Sequence, residues 1–311
     1  MEYSIALGRD DHGVVVRDFI AQWIDQPALR QIVEAEGGEW PAGSLVERVT
    51  ALHKFSERWD RRAGGERLEI DRSTDNTVDS AIVLATADAL GLSRSAPPSR
   101  PRYDHGLALG GTALASALRV KHLYSLRRNG VSFGAIGMLT ALREVSDEER
   151  AFLRDDPLRE SLICCTTEFD VMVAAAEFFS ETTARIEKKI ETNPHASSAR
   201  AYLDHAEVLA APSSDSSRRA NTFDNYAVYR DRLRAGDSLL IVTSAIYLPY
   251  QFLIAVQALG WNTPLQVEAI GFPPEWLGGV LTQPANYLQE LRSALFAAST
   301  TLAKLDQASS A

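Results

Sequence analysis

The chain has 311 residues, of which 45% are hydrophobic and 23% charged, proportions that are ordinary for a globular protein of one or two domains. Its formal net charge of −9 disfavours a general surface for nucleic acid or for anionic membranes. The two cysteines, Cys164 and Cys165, are adjacent, which disfavours a disulfide framework and a cysteine zinc site and favours a reducing compartment.

The N-terminus and the hydropathy pattern predict a cytoplasmic protein. Charges occur within the first eleven residues, unlike in a signal peptide. No uninterrupted apolar run approaches the roughly 20 residues that a membrane-spanning helix needs. The six histidines show no spacing typical of a metal site. We therefore expect no bound metal, and neither nucleic acid nor membrane among the partners.

Residues 1–95 predict a helical N-terminal region. Apolar side chains recur there at helical spacing, and Ser44 with Glu47 forms the pattern of a capping box. Self-association into a homo-oligomer is one role for such a region, and docking to a partner is another. Residues 96–102 belong to a stretch rich in Ser, Pro and Arg, which is typical of a linker.

Over residues 103–311, short apolar runs alternate with long amphipathic ones. The strand candidates are 106–111, 131–139, 161–167, 206–212, 237–244 and 265–271. This alternation predicts an α/β fold, namely a Rossmann-like, doubly wound and mostly parallel sheet with helices on both faces. Residues near 180–206 predict a helical insertion within it.

Ligands of such sheets bind beyond the carboxyl ends of the strands, so polar residues at those ends are the candidates for a site. Gly110 and Gly111 end the first strand candidate, and Thr112 begins the next helix. The glycines let a ligand approach the backbone, and free amides at the helix start favour a phosphate or carboxylate. The alternative is a tight turn with Thr112 as N-cap, because the pattern is neither a full GxGxxG motif nor a P-loop.

Two charged residues follow the next strand candidates. Arg143 is a candidate for two-point binding of a phosphate or carboxylate, or else a solvated helix arginine. Glu168 is a candidate general base or partner of a ribose hydroxyl, or else a first-turn acid with Thr167 as the cap. Cys164 and Cys165 lie within an apolar run and are expected to be buried packing residues.

The later strand ends add further hydrogen-bonding groups. The loop and helix start near residue 222 offer Arg219, Thr222 and Asn225, which favours an anionic or polar ligand as well as helix capping. The clearest strand candidate is followed by Thr243, Ser244 and Tyr247. Ser244 lies in no GxSxG motif and has no histidine nearby in sequence, so we do not expect a serine nucleophile.

The order of these pieces resembles the YdcF/SanA/ElyC-like family over roughly residues 103–272. The segments that carry the likeness are 107–126, 168–179, 218–233 and 239–260. Thr222 and Asn225 match a T-x-x-N element, and 242–244 matches the start of a VTS-x-x-H-x-x-R element. Tyr247 stands in place of the histidine, and Tyr250 or Gln251 in place of the arginine. The resemblance implies a Rossmann-like fold, with relatives associated with S-adenosylmethionine binding or envelope polysaccharide metabolism.

These features predict an enzyme that binds a nucleotide-like or other anionic small molecule at the carboxyl edge of the sheet. Glu168 is the candidate acid/base residue, and Arg143 or Arg219 the candidate anion clamp. Group transfer and hydrolysis are both open, and the cofactor is unknown, with a nucleotide or an S-adenosylmethionine-like ligand as candidates. The alternative is a non-catalytic sensor or partner-binding protein with a degenerate site. A methyltransferase is a third, weaker hypothesis.

Overall fold

A mixed β-sheet forms the centre of the molecule. The computed structural model describes residues 1–8, 11–61, 79–152, 158–259, 263–277 and 282–309. Its strands are β1 (Tyr3–Leu7), β2 (Arg102–Leu109), β3 (Ser132–Thr140), β4 (Arg185–Lys189), β5 (Ser198–Leu203), β6 (Ala206–Ala210), β7 (Ser238–Ser244) and β8 (Leu265–Phe272). They lie side by side in the order β1-β8-β7-β2-β3-β6-β5-β4.

Five adjacent strands establish the doubly wound topology. β8, β7, β2, β3 and β6 run parallel to one another. The chain starts this layer at β2, moves outward through β3 to β6, and then returns to the other side of β2 for β7 and β8. The predicted Rossmann-like α/β fold is confirmed. The winding direction changes between β2 and β7, which is where ligands of such folds bind.

Helices cover both faces of the sheet. In chain order they are α1 (His12–Ile24), α2 (Pro27–Ala35), α3 (Leu45–Phe55), α4 (Ser80–Ala89), α5 (Ala113–Arg128), α6 (Asp147–Phe152), α7 (Arg159–Leu162), α8 (Glu168–Ser180), α9 (Thr222–Tyr229), α10 (Leu248–Leu259) and α11 (Pro284–Ser309). None of the helices in the described ranges is long and apolar enough to cross a membrane.

Alternation along each strand divides the core into two layers. Ala108 of β2 and Val242 of β7 join the layer beneath α5 and α8. Leu107 and Ile241 point to the opposite face, where α9 and α10 lie. This second layer also contains apolar side chains of α1–α4 and α11, so one continuous core joins the N-terminal region to the sheet.

The N-terminal region is helical, as predicted, and also contains β1. That strand pairs antiparallel with β8 at one edge of the sheet, from Tyr3 opposite Ala269 to Leu7 opposite Leu265. The predicted capping box of Ser44 and Glu47 begins α3.

The prediction of a strand over 161–167 is wrong. Residues 159–162 form the short helix α7, and Thr167 makes only an isolated bridge with Glu144. Leu162 and Cys165 are buried, whereas Ile163 and Cys164 are exposed, so that only one of the two cysteines packs inside. Burial at positions three apart is the spacing of a helical turn, and a central strand would bury consecutive residues.

The prediction of a helical insertion near 180–206 is also wrong. β4 and β5 occupy that stretch, extending the sheet beyond β6 by antiparallel pairing. Ala199, Ala201 and Leu203 alternate with less buried residues, and this period of two is typical of a strand with one covered face. All five residues of β4 are exposed, and their charges blunt a free sheet edge.

A buried carboxylate fixes the stretch that leads into β2. Glu268 of β8 accepts hydrogen bonds from the Ser99 amide at 2.7 Å and from the Tyr103 hydroxyl at 2.7 Å. The Ser99 hydroxyl donates to the same carboxylate. Burial, followed by the hydrogen bond to Glu268, raises the pKa of Tyr103 to about 12. The predicted linker is therefore held to the sheet by side-chain hydrogen bonds.

We expect Glu268→Ala to lower the free energy of unfolding by about 2–3 kcal/mol, because three donors lose an ionised acceptor. The measurement is urea unfolding followed by circular dichroism. Glu187→Ala on exposed β4 is the control and should change stability by less than about 0.5 kcal/mol. Equal effects of the two substitutions would contradict the assignment.

Candidate functional site

A cleft of about 680 Å³ opens at the carboxyl edge of the sheet. It is formed by the segments that follow β2 and β3, the starts of α8 and α9, and Tyr250 and Gln251 of α10. The predicted site residues that line it are Gly110, Gly111, Thr112, Arg143, Glu168, Arg219, Thr222 and Asn225. The structure thus brings eight of the eleven predicted residues to one cleft.

Arg143 donates five hydrogen bonds at the cleft. Its Nε donates to Glu168 at 3.3 Å, and its two terminal nitrogens donate to the two oxygens of Glu149 at 2.7 and 2.8 Å. The remaining N–H groups donate to the carbonyls of Gly111 and Glu144. Burial lowers the pKa of Arg143, but the bonds to Glu149 and the charge of Glu168 outweigh it and raise the pKa overall. Arg143 therefore binds a carboxylate through both terminal nitrogens, and that carboxylate belongs to Glu149 of the same chain.

The carboxylate of Glu149 also occupies the start of α5. The Ala113 amide, the first of that helix, donates to Glu149 Oε1 at 3.0 Å, and the Ser146 amide donates to Oε2 at 3.0 Å. Glu149 is 2% exposed. Burial raises its pKa, whereas the bonds from Arg143 and Ser146 lower it, and the net shift is downward. The chain's own anion therefore lies where the sequence predicted an external one.

Glu168 is placed by backbone pairing between the start of α8 and the segment after β3. The Glu168 amide donates to the Arg143 carbonyl at 2.8 Å, and the Phe169 amide to the Ala141 carbonyl at 3.1 Å. Thr167 caps α8 in a capping box with Asp170, as the alternative interpretation predicted. The Glu168 carboxyl is 6% exposed and accepts from the Thr140 hydroxyl at 3.0 Å. Burial raises its pKa despite the nearby Arg143 charge.

The two glycines leave room for side chains of the protein itself. A Cβ on Gly110 would overlap the Glu168 carboxyl and lie 3.0 Å from the Leu139 carbonyl. A Cβ on Gly111 would lie 3.0 Å from a terminal nitrogen of Arg119. The Gly111 amide is engaged as well, since it donates to the Ser116 hydroxyl at 2.9 Å. Internal packing thus accounts for both glycines.

The predicted residues at the end of β7 and just after it lie outside the lining of the cleft. Ser244 is fully buried and accepts from Arg119 at 3.1 and 3.3 Å. The same guanidinium lies 5.6 Å from the centre of the Tyr247 ring and donates to the Leu109 carbonyl at 2.9 Å. Thr243 is also fully buried. The strand continues to residue 244 with its side chains inside the core, so Ser244 and Tyr247 contact Arg119, and none of the three positions lines the cleft.

The α9 side of the cleft is built around a capped helix start. Asn221 and Asp224 form a capping box, and Arg218 donates to the Asp224 carboxylate at 2.7 Å. Burial raises the pKa of Asp224, but the bonds led by Arg218 lower it to about 2. Arg219 is exposed at the rim. The Asn225 side-chain Oδ1 accepts from the Ala211 amide at 3.1 Å, which ties α9 to the end of β6.

Sequence reasoning did not predict Arg119 and Glu149. Both are charged residues in amphipathic runs, where a solvated position is the usual outcome. Ser146 preceding Glu149 by three residues is a capping pattern that marks a helix start, but it says nothing about the start of α5. Within the described ranges, no three His, Cys, Asp or Glu side chains gather closely enough to hold a metal ion.

Comparison with known proteins finds similarity to the Rv3785 proteins of mycobacteria. The Rv3785 N-terminal domain family matches residues 8–91. The uncharacterized protein Rv3785 of Mycobacterium tuberculosis strain H37Rv is 29% identical over 329 residues, which cover 94% of this chain and 90% of that protein. The uncharacterized protein Mb3814 of Mycobacterium bovis is similar to the same extent. No solved structure matches the chain.

The resemblance to the YdcF/SanA/ElyC-like family is wrong, because the similarity found is to Rv3785 and begins in the helical region that this resemblance left out. The matched elements have structural causes in this fold. Thr222 follows the N-cap of α9, and 242–244 is the buried end of β7. Similar elements in the same order arise in doubly wound sheets of different families.

We expect Glu168→Gln to be more stable than the wild type at neutral pH. Because folding raises the pKa of Glu168, the wild-type carboxyl contributes its full stability below the ordinary pKa of the unfolded chain. That stability is lost as pH rises through the raised pKa of the folded protein. The difference in free energy of unfolding should therefore grow from pH 4 toward pH 8, as measured by chemical denaturation.

Glu149→Gln is the matched control with the opposite sign. The lowered pKa of Glu149 adds stability above its ordinary pKa, so this variant should be less stable at neutral pH and approach the wild type in acid. Parallel stability curves for Glu168→Gln and the wild type would overturn the assignment for Glu168.

We expect Gly110→Ala to destabilise the protein by about 1–3 kcal/mol, because the added methyl group overlaps the Glu168 carboxyl. The loss should shrink in a Glu168→Ala background, measured as a double-mutant cycle in urea. Gly13→Ala in α1 meets only an ordinary contact, Leu305 at 3.6 Å, and should not destabilise. Additive effects of Gly110→Ala and Glu168→Ala would refute a direct contact.

Proposed function

We propose that the protein is an enzyme that binds a small anionic molecule in the cleft, with Glu168 as the acid/base residue. The observation that carries this proposal is the two-point grip of Arg143 on Glu149 at the start of α5. A guanidinium fork and a helix amide form an anion site in chemical terms. The anion that now fills it is part of the chain.

A ligand carboxylate or phosphate binds by replacing Glu149. Both groups present oxygen atoms that accept from Arg143 and from the Ala113 amide in the same way as Glu149 does. Glu149 belongs to the six-residue helix α6, so the exchange requires movement of a short element and not of the sheet. Because the ligand must displace Glu149, an anion of low charge binds weakly, and a group of greater negative charge is favoured.

Glu168 has the surroundings of an acid/base residue. Its carboxyl borders the cleft, and its raised pKa brings proton exchange closer to neutral pH. Thr140 and Arg143 hold the two oxygens in fixed positions. Both group transfer and hydrolysis need such a residue next to a bound anion, so the reaction class stays open between them.

A non-catalytic sensor is the second candidate. It is favoured by the fact that all five N–H groups of Arg143 have acceptors within the chain. Ligand exchange at Glu149 would then serve to release α6 and not to support chemistry. Turnover that Glu168→Gln abolishes without loss of ligand binding distinguishes the enzyme from the sensor.

We expect Glu149→Ala to strengthen the binding of inorganic phosphate about tenfold, because the competing carboxylate is gone, which corresponds to about 1.4 kcal/mol. The measurement is the rise in melting temperature with phosphate concentration, which reports binding to the native state. Arg143→Gln should abolish that rise.

Arg232→Gln is the control for loss of a partly buried ion pair elsewhere. Arg232 donates to Glu207 at 2.9 Å outside the cleft, so this variant should lose stability but keep the response to phosphate. The proposal of an exchangeable anion site would be contradicted if Glu149→Ala left the melting-temperature response to phosphate unchanged, or if that response survived Arg143→Gln.

A further inference from the structure

The two walls of the cleft differ in chemistry. The wall formed by the segment after β3, by α6 and by the start of α8 is ionic and contains Arg143, Glu149 and Glu168. The wall formed by α9 and α10 presents the uncharged amides of Asn225 and Gln251. A ligand that spans the cleft therefore meets Arg143 and Glu168 at one end. At the other end it meets the buried amides of Asn225 and Gln251, beside the more exposed Arg218 and Arg219.

Gln251 is a buried amide whose oxygen has no partner. It is 1% exposed, lies in a helix of otherwise mostly apolar buried residues, and borders the cleft. Its Oε1 has no hydrogen-bond partner among the residues that the structure describes. Leaving a buried acceptor unpaired is costly, and such an atom in a native protein calls for an explanation. Oε1 is itself covered by the protein, but the Gln251 side chain borders the cleft, so rotation of its amide toward a bound ligand that donates a hydrogen bond supplies that explanation.

Asn225 complements Gln251 on the neighbouring helix. The Asn225 side chain is buried at the cleft wall, and its oxygen is used by the Ala211 amide at 3.1 Å. The group that remains for a ligand is thus the Nδ2 amide, which donates only. The wall combines an acceptor from α10 with a donor from α9.

We infer that Gln251 and Asn225 form a recognition subsite for a neutral group that carries a hydrogen-bond donor beside an acceptor, on a ligand whose anionic end binds at Arg143. The inference rests on the proposed function. A sugar hydroxyl and the edge of a nucleobase both have this chemistry. The ligand class is accordingly a sugar phosphate or a nucleoside phosphate, and Gln251 is its specificity-determining residue.

The first experiment compares Gln251→Met with Gln257→Met in the protein without added ligand. Both glutamines are buried in α10, at 1% and 3% exposure, but Gln257 donates to the Ala297 carbonyl and to the Thr300 and Thr301 hydroxyls. Gln257→Met should lower the melting temperature, since it removes three hydrogen bonds. Gln251→Met should leave the melting temperature unchanged or raise it, because it removes an unpaired polar atom.

The second experiment measures dissociation constants for inorganic phosphate, ribose 5-phosphate and adenosine 5′-phosphate by thermal shift and calorimetry. We expect wild type to bind at least one of the two organic phosphates about tenfold or more tightly than phosphate. Gln251→Met should remove that advantage and leave phosphate binding as it was. If ribose 5-phosphate already binds more tightly than inorganic phosphate, the subsite recognises a sugar. If only adenosine 5′-phosphate binds more tightly, the subsite recognises a nucleobase.

The outcomes separate this inference from the proposed function. Equal affinity of wild type for all three compounds, an advantage that survives Gln251→Met, or a fall in melting temperature for Gln251→Met would each overturn the subsite. Absence of phosphate binding in both wild type and Glu149→Ala would overturn the anion site on which it rests.

Discussion

Arg143 joins four segments of the chain at a single guanidinium. It donates to the Gly111 turn after β2, to Glu144 after β3, to Glu149 of α6 and to Glu168 of α8. Removal of one partner from a buried ionic cluster leaves an uncompensated charge, so the members depend on one another. Arg143 lowers the pKa of both glutamates, and this outweighs burial at Glu149, whereas at Glu168 burial outweighs Arg143 and raises the pKa.

The sequence was sufficient to predict strands of the sheet wherever an apolar run was bounded by turn residues. The five parallel strands all fall on such runs, because a strand covered on both faces must be apolar throughout. The same criterion failed at 161–167, where a short apolar run folds as a helical turn with one buried side. It also failed near 180–206, since a charged edge strand such as β4 has no apolar pattern to detect.

The location of the cleft was predictable from the sequence, but the side chains that pair with the predicted residues were not. Strand ends in a parallel layer meet at one edge, which is why Gly110, Glu168 and Asn225 come together. Which side chains fill the space beside a glycine depends on distances across the fold, and sequence spacing carries no record of them. The roles of Arg119 and Glu149 are therefore visible only in the folded structure, where the glycine pair accommodates groups of the protein itself.

The shared core of α11 and the N-terminal helices has a consequence for synthesis. Apolar side chains of α1–α4 pack in one layer with those of α11, which spans residues 284–309. During translation these early helices emerge well before the segment that covers them. The apolar faces of these helices stay exposed, and prone to aggregation, until α11 has left the ribosome. Contacts between such distant parts of a chain also form slowly.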